Sequence, residues 1–402
     1  MSDKRLQISP GLRHMLTYPK FSGPTRMLVL ETQYFFDQGW KRAADALGWE
    51  TAFVPSVIVG GLTRQDVENL FTTLADFRPD FILASNYAGM DTQALFSKFY
   101  EDVGIPYVSW FTDTPRMILY DREVYCSRYS VAATWERAYI PHFERLGFEH
   151  ILHMPLATDP GLFHGEPTDA PARSVAFVGS SMMSHAMEAW EKLTDSQGLA
   201  DALNRAFDEG RVTRDRFADG LSSILPAEIL NDQSSTVLRA VELLLVYEAT
   251  YRQRRDMARR LDPLGIEVYG DPAWKEIISH ADGGISYFND LAAFYRDTAI
   301  NLNSTSLQMK SAVNQRVFDC PASGGFLITD AQSDLDELFD ADEVVTYAEL
   351  DELEDKARYY FGHPEERIGV IRRAQRRIQA HHTLQHRLEA LERFLKERFA
   401  DV

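Results

Sequence analysis

Cysteine is scarce in this sequence, and its scarcity excludes several classes of protein. Only two of the 402 residues are cysteine, and Cys126 and Cys320 lie far apart without CxxC spacing. Two such residues are too few for a disulfide framework, so we interpret both as buried thiols. No His, Cys or carboxylate cluster has the spacing of metal ligands, and we therefore expect no metal.

Long apolar runs and an excess of basic charge are also missing. No window approaches about 18 uninterrupted apolar residues, and the N-terminus lacks the apolar core of a signal peptide. We therefore expect a soluble, cytoplasmic protein. Acidic side chains number 60 against 42 basic ones, a formal charge of −18, which disfavours nucleic acid as a partner. A local basic pocket for a small anionic ligand is still compatible with this charge.

Two common nucleotide-binding motifs are absent as well, because neither GxGxxG nor GxxxxGK[ST] occurs. The sequence instead alternates short apolar runs with amphipathic helical stretches, a pattern typical of βαβ units around a parallel sheet. The length suits two domains, and a first doubly wound domain is predicted over 1–165. Its predicted strands are 26–31, 51–55, 81–85, 105–111, 131–135 and 151–157.

A second domain of the same architecture is predicted over 166–380. Pro and Gly are frequent in 158–173, which predicts a linker ahead of it. The residues from 182 to 262 are mostly helical in pattern and predict a helical insertion, while 381–402 predict a C-terminal helix whose apolar face packs back on the domains. The predicted strands of this domain are 174–180, 266–271, 299–303, 326–330 and 344–347.

Sheets of this kind bind ligands beyond the carboxyl ends of their strands, where loops meet helix N-termini. Gly179 and Ser180 lead from a strand into a helical stretch, so they form either a phosphate-binding turn or an ordinary turn with serine as helix cap. The same two interpretations, ligand contact or plain turn, apply to the other strand ends. The residues of interest there are Gly270, Asp271, Ser304 and Lys310.

The stretch "NQRVFDCPASGGFLITD", residues 314–330, places an amide, a guanidinium and a carboxylate just ahead of a strand. A helix beginning at Asn314 and ended by Pro321 is predicted. Arg316 could then neutralise a phosphate and Asp319 could accept two ribose hydroxyls, or the two side chains could simply pair with each other. The basic run of the helical insertion also predicts one arginine turned toward the phosphates, Arg252 or Arg255.

These residues, together with "HPEERIGVIRRAQRRI" and "HHTLQHRLEALERFL", resemble the C-terminal half of group 1 glycosyltransferases of the spore-maturation, CgeB-like type. The resemblance extends to "SWFTDTP", "PLATDPGLF", "FVGS" and "YGDPAW". It therefore covers most of the chain except the first 25 residues and the helical insertion. It implies a GT-B fold of two Rossmann-like domains facing across a cleft, with a nucleoside diphosphate-sugar donor bound mainly by the second domain. The expected partner is that donor, with an unidentified acceptor.

Roles for individual residues are implied by the same resemblance. Asp319 stands where the family has a ribose-binding Glu, and Arg316 and Lys310 are implied as diphosphate ligands, with Gly179 and Ser180 covering them. Ser311 replaces a second Glu that related retaining enzymes carry, which leaves the stereochemical outcome open.

Transfer to an acceptor hydroxyl requires a base, for which Asp113 at a predicted strand end is the candidate, with Arg116 as its partner. Asp113 could equally be the cap of the helix that follows it. The predicted function is transfer of a sugar from the donor to an acceptor hydroxyl. The alternatives are a nucleotide-sugar epimerase or phosphorylase-like enzyme of the same fold, or a nucleotide-binding relative without turnover.

Overall fold

The structure is a computed structural model that describes residues 4–32, 36–56, 63–120, 122–193 and 197–400. Its strands are β1 Arg26–Glu31, β2 Glu50–Pro55, β3 Phe81–Ser85, β4 Tyr107–Phe111, β5 Ser130–Thr134, β6 His150–His153, β7 Arg173–Val178, β8 Glu267–Tyr269, β9 Thr298–Leu302, β10 Leu327–Asp330 and β11 Val345–Tyr347.

The α-helices are α1 Pro10–Leu16, α2 Phe36–Ala46, α3 Arg64–Phe77, α4 Leu95–Val103, α5 Pro115–Leu119, α6 Ile140–Leu146, α7 Met183–Glu191, α8 Gln197–Asp208, α9 Arg214–Asp219, α10 Ala227–Asn231, α11 Ser235–Leu261, α12 Leu291–Arg296, α13 Arg316–Ala322, α14 Leu335–Leu338, α15 Leu350–Phe361, α16 Pro364–His381 and α17 Leu384–Phe399. Short 3-10 helices are Arg137–Tyr139, Leu221–Ser223, Asp262–Leu264 and Pro272–Glu276. Among the described residues, no helix is long and apolar enough to cross a membrane.

The chain divides into two compact units, of which the first is Met1–Pro155 with Leu384–Val402. Within its described residues six parallel strands form one sheet in the order β2-β1-β3-β4-β5-β6. The central strands β3, β4 and β5 are buried along their whole length, as expected for a parallel sheet covered on both faces. Trp110 of β4 packs its ring 4.9 Å from that of Trp40, so helix α2 covers one face of the sheet.

The second unit is Leu156–Thr383. In the part of the chain that the structure describes, its five parallel strands have the order β11-β10-β9-β7-β8. The central strand of this order, β9, is buried along its whole length, and the neighbouring β7 is buried over Val175, Ala176 and Phe177. The described residues between β7 and β8 form α7 to α11 with turns, and we call these five helices the helical segment.

The predicted α/β fold is confirmed, since each predicted apolar run overlaps an observed parallel strand. Strand β6 ends at His153, earlier than predicted, because Pro155 lacks the N–H that a sheet ladder requires. Helix α13 continues through Pro321 to Ala322 instead of ending at the proline. Of the two cysteines, Cys320 is buried as predicted, whereas Cys126 is only partly buried.

The C-terminal helix α17 belongs to the first unit, where it packs with α2. The predicted apolar face is confirmed, and Phe399 at its end stacks on Tyr129, with ring centroids 5.8 Å apart. Thr25 also donates a hydrogen bond to Glu392 of this helix, so polar contacts support the apolar ones. The five predicted positions of that face, Leu384, Leu388, Leu391, Leu395 and Phe399, are all buried.

Replacing Leu391, which is fully buried, tests how strongly α17 stabilises the first unit. We expect Leu391→Ala to lower the free energy of unfolding by about 2–5 kcal/mol, because it removes buried methyl groups and leaves a cavity. Urea denaturation followed by circular dichroism measures this change. Glu397→Ala, on the same helix with a side chain 73% exposed, is the control and should leave the transition in place. Equal transitions for the two variants would show that α17 is only loosely attached.

Candidate functional site

Loops at the carboxyl ends of β7, β8 and β9 meet in the second unit, and a carboxylate joins two of them. Asp271, which follows β8, accepts hydrogen bonds from Ser180 Oγ at 3.0 Å and Ser181 Oγ at 2.8 Å, both after β7. It also accepts one from the N–H of Ala273 and caps the 3-10 helix there. Burial acts to raise the pKa of Asp271, but the bonds from Ser181, Ser180 and Ala273 outweigh it and hold the pKa below its ordinary value.

Close backbone packing explains the glycine before this aspartate. A Cβ atom on Gly270 would overlap the carbonyl oxygen of Gly179 and lie 2.7 Å from Trp274 Cδ1. The N–H of Gly179 donates to Tyr269 O at 2.8 Å, and the N–H of Ser181 donates to Asp271. These two N–H groups are therefore already bonded within the protein. The turn has fewer N–H groups available to bind an anion than the sequence predicted.

Arg316, in the first turn of α13, reaches back to the ends of β7 and β9. Its Nη1 donates to Asn303 Oδ1 at 2.7 Å, and its Nη2 donates to the carbonyl oxygen of Val178. The guanidinium carbon lies 5.0 Å from the centroid of the Phe177 ring, within cation–π range. The predicted pairing of Arg316 with Asp319 does not occur, because both terminal nitrogens are bound to other groups.

Arg254, from α11 in the helical segment, approaches the same ring. Its guanidinium carbon lies 5.7 Å from the Phe177 centroid, and its Nη1 donates to the carbonyl oxygen of Ser180 at 2.6 Å. The side chain is buried, with 9% of the residue exposed. Burial, together with the nearby positive charge of Arg316, lowers the pKa of Arg254 to about 10 against the opposing charges of Asp330 and Asp271.

Arg254 is buried and Arg316 is half-buried, and both guanidinium groups lie on the ring of Phe177 without a direct ion pair to a described carboxylate. Neither guanidinium has an ion-pair partner within 4.0 Å among the described residues, and the Nε atom of each is buried without a hydrogen-bond partner there. Burying a cation in this way is costly, and two close cations repel each other. An anion bound at these guanidinium groups would remove both penalties, and the planar forks match phosphate oxygens.

Further buried polar atoms without a partner lie in the neighbouring loop. Ser304, directly after Asn303, is fully buried, and its hydroxyl has no hydrogen-bond partner among the described residues. The same is true of Asn314 Oδ1 and Gln315 Oε1. Buried polar groups are rarely left unpaired in folded proteins, so their presence beside the arginines indicates a polar ligand.

Asp319 has a different environment from the one predicted. Its carboxylate accepts hydrogen bonds from Thr158 Oγ1 at 2.7 Å, Gln315 Nε2 at 3.1 Å and Tyr287 Oη at 3.2 Å, and only 1% of the residue is exposed. Burial, together with the nearby charge of Asp159, raises the pKa of Asp319 to about 8 against the opposing effect of these bonds. A ribose hydroxyl would have to join or displace three protein donors.

Lys310 is turned toward the helical segment. Its Nζ lies 3.2 Å from Asp215 Oδ1 of α9, and 39% of its side chain is exposed. The predicted donor residues Gly179, Ser180, Gly270, Asp271, Ser304, Asn314 and Arg316 are thus brought together, while Lys310 lies at the edge and Asp319 is enclosed.

Asp113 lies in the first unit, just beyond the end of β4. Its Oδ2 accepts from Asn86 Nδ2 at 2.9 Å, and the Oδ1 of Asn86 accepts from the backbone N–H groups of Thr112 and Asp113. Asn86 adopts a left-handed conformation with φ 51°, uncommon outside glycine. The helix cap is Thr114, with Pro115 in the first turn, so Asp113 is not the N-cap residue.

Arg254 is the functional candidate that the sequence analysis missed. The predicted arginines point elsewhere: Arg252 pairs with Glu248 at 2.7 Å, and Arg255 pairs with Asp256 at 2.8 Å. Helical phase was the available signal, because Arg254 lies one turn after Thr250 and one turn before Ala258, which are both buried.

Comparison with known proteins gives a family match over part of this chain. Residues 252–393, about a third of the sequence, match a family described as Glycosyl transferase-like. These residues hold Arg254, Asp271, Arg316 and Asp319, and they form a glycosyltransferase family domain. No curated protein matches the chain by sequence.

Two solved structures share the fold. Sucrose-phosphate synthase from Thermosynechococcus elongatus superposes with a TM-score of 0.55 at 9% identity, over 94% of this chain and 100% of that one. The Anabaena protein HepE in complex with UDP superposes with a TM-score of 0.50 at 10% identity, over 93% of this chain and 100% of that one. The predicted GT-B fold of two parallel-sheet α/β domains is confirmed.

The raised pKa of Asp319 predicts a pH dependence of stability. Between the ordinary carboxyl value of 3.8 and about 8, the folded chain holds a proton on Asp319 that the unfolded chain has released. The free energy of unfolding should therefore fall as pH rises through this window. Asp319→Asn, which keeps the shape and stays neutral, should flatten the dependence in urea titrations at pH 5 to 8.

Asp351→Asn is the control, because that side chain is 83% exposed and should leave the slope of the wild type unchanged. If Asp319→Asn and the wild type lose stability equally between pH 5 and 8, the carboxyl of Asp319 is ionised throughout this range in the folded protein.

Proposed function

We propose that this protein transfers a hexose from a nucleoside diphosphate-sugar to an acceptor hydroxyl, with the donor diphosphate bound at Arg254 and Arg316. The observation that carries the proposal is a pair of guanidinium groups, one buried and one half-buried, that are held by carbonyl and amide oxygens. Both flank Phe177, at the end of β7. A diphosphate supplies two adjacent anionic groups, which suits two cations fixed in this way.

The chemistry follows from where charge develops. As the bond from the sugar to the diphosphate breaks, negative charge accumulates on the leaving phosphate oxygens. Two fixed guanidinium groups in a buried site stabilise that charge without needing to reorganise. Their buried Nε–H groups are further donors that no described residue uses. In this proposal they supply the charge compensation, and no metal ion takes part.

The subgroup is proposed on sequence grounds. The CgeB-like resemblance spans the "NQRVFD" and "HPEER" stretches, and the matched family covers both of them. That the neighbour HepE is described in complex with UDP supports a nucleotide donor here. Asp319, with its three protein donors, anchors α13 to Thr158, and a direct bond to the donor ribose stays a prediction.

We further propose that Asp113 acts as the base that accepts the proton of the acceptor hydroxyl. Its carboxylate is oriented by Asn86 at the carboxyl end of a strand, where ligands bind in sheets of this kind. A general base must be held in a fixed orientation within reach of the hydroxyl, and an amide partner provides that orientation without removing the charge.

Removing either arginine tests the donor site. We expect one nucleoside diphosphate among UDP, GDP, dTDP, ADP and CDP to raise the melting temperature, by linkage between binding and folding. Arg254→Ala and Arg316→Ala should each weaken that ligand about 30-fold in calorimetry, since each removes about 2 kcal/mol of charge-assisted hydrogen bonding.

Arg255→Ala is the matched control, because Arg255 lies on the same helix and pairs with Asp256. It should bind the nucleotide as the wild type does. The unphosphorylated nucleoside should lose little affinity in any variant, because the arginines bind phosphate. If no nucleotide shifts the wild type, or if Arg254→Ala and Arg316→Ala bind normally, the donor site is wrongly placed.

A second prediction tests Asp113. Donor hydrolysis without acceptor is the assay, because water can replace the hydroxyl that the enzyme normally activates. We expect Asp113→Asn to reduce kcat about 100-fold or more, the usual contribution of a general base, with donor affinity unchanged. Glu31→Gln, at the end of β1, is the control. Unchanged turnover in Asp113→Asn would show that this carboxylate is structural, and no hydrolysis by the wild type would favour a binding protein.

A further inference from the structure

The helical segment contacts the candidate site at a second place besides Arg254. Arg214, the first residue of α9, directs its Nη2 to the carboxylate of Asp330 at 2.6 Å and to the carbonyl oxygen of Thr305 at 2.8 Å. Its side chain is 24% exposed and that of Asp330 is 7% exposed, so the ion pair is largely shielded from water. The contact joins the helical segment to the loop that follows β9.

Hydrogen bonds continue from this ion pair to Arg316. Asp330 Oδ1 accepts from the N–H of Thr305 at 2.9 Å and from its hydroxyl at 2.8 Å. Thr305 Oγ1 accepts from Asn303 Nδ2 at 3.4 Å, and Asn303 Oδ1 accepts from Arg316 Nη1 at 2.7 Å. A continuous set of bonds therefore runs from Arg214 through Asp330, Thr305 and Asn303 to the guanidinium of Arg316.

Other contacts show that the same loop is held from the helical segment at several points. Thr250 of α11 shares a hydrogen bond with the hydroxyl of Ser306, with the two oxygens 3.2 Å apart. Lys310 pairs with Asp215, the residue after Arg214. Among these described contacts, the Arg214 contact is both ionic and shielded, whereas exposed pairs such as Lys310 with Asp215 contribute little.

We infer that Arg214 is a positioning residue for the donor diphosphate, acting through Asp330, Thr305 and Asn303 on Arg316. This inference rests on the proposed function and gives part of the helical segment a role in that site. Because the guanidinium group of Arg214 is bonded to Asp330 and Thr305, it orders the loop and does not contact phosphate. The orientation of Arg316, and hence the affinity for the diphosphate, depends on that order.

The test measures nucleotide affinity by calorimetry on the full chain, with the nucleoside diphosphate that stabilises the wild type. We expect Arg214→Ala to weaken the diphosphate about tenfold, a typical size for coupling through a network. The unphosphorylated nucleoside should bind unchanged. Arg214→Lys, which keeps the charge facing Asp330 but loses the guanidinium geometry, should recover part of the affinity. Arg216→Ala, an exposed arginine on the same helix, should behave as the wild type.

A double-mutant cycle separates positioning from general damage. If Arg214 acts through Arg316, adding Arg214→Ala to Arg316→Ala should cause no further loss of affinity. If the double variant loses affinity by the product of the two single losses, or if the nucleoside loses as much affinity as the diphosphate, the inference is overturned while the donor site remains supported. Normal diphosphate binding by Arg214→Ala and Arg214→Lys would do the same. If the wild type binds no nucleotide, the proposed function fails and this inference fails with it. Melting curves confirm that each variant is folded.

Discussion

Two neighbouring guanidinium groups, one buried and one half-buried, that no described carboxylate pairs with directly are the constraint on which the candidate site of the second unit depends. Arg254 and Arg316 are held by the carbonyl oxygens of Ser180 and Val178 and by the amide of Asn303, so neutral dipoles orient both charges and cancel neither. Such an arrangement costs free energy in the unliganded protein. The surrounding fold must offset that cost, and the parallel sheet with its buried central strands provides the stability to do so.

The sheet itself could be predicted from the sequence because its signal is local. Short apolar runs with Gly or Pro at their ends mark buried parallel strands, and "FILAS" and "AINLN" correspond to β3 and β9 almost residue for residue. The apolar face of α17 could be predicted equally well, because leucines at helical spacing mark such a face whatever the helix packs against. Strand order and the division of the chain into units depend on long-range pairing, which no local pattern encodes.

The residues of the candidate site were predicted less completely, because the direction of each side chain determines whether it reaches the site. Arg316 and Asn314 followed from their place ahead of a strand, but Arg254 sits among several arginines on one helix and only its phase turns it inward. Asp319 was assigned to the ribose by resemblance, yet Thr158 and Tyr287 occupy its carboxylate. Thr158 lies 161 positions away in sequence, and such a contact leaves no trace in the pattern around Asp319.

A chain with a net charge of −18 nevertheless presents positive charge at this site, and the neighbouring carboxylates explain how. Asp271 is bonded to serine hydroxyls and backbone N–H groups, and Asp330 is paired with Arg214. Burial raises the pKa of Asp319 to about 8. The charges of Asp330 and Asp271 oppose the lowering of the pKa of Arg254, but both carboxylates are bonded to other groups and neither forms a described ion pair with Arg254 or Arg316. The acidic exterior and the cationic site are therefore compatible, since the site's charge is preserved by local bonding and not by overall composition.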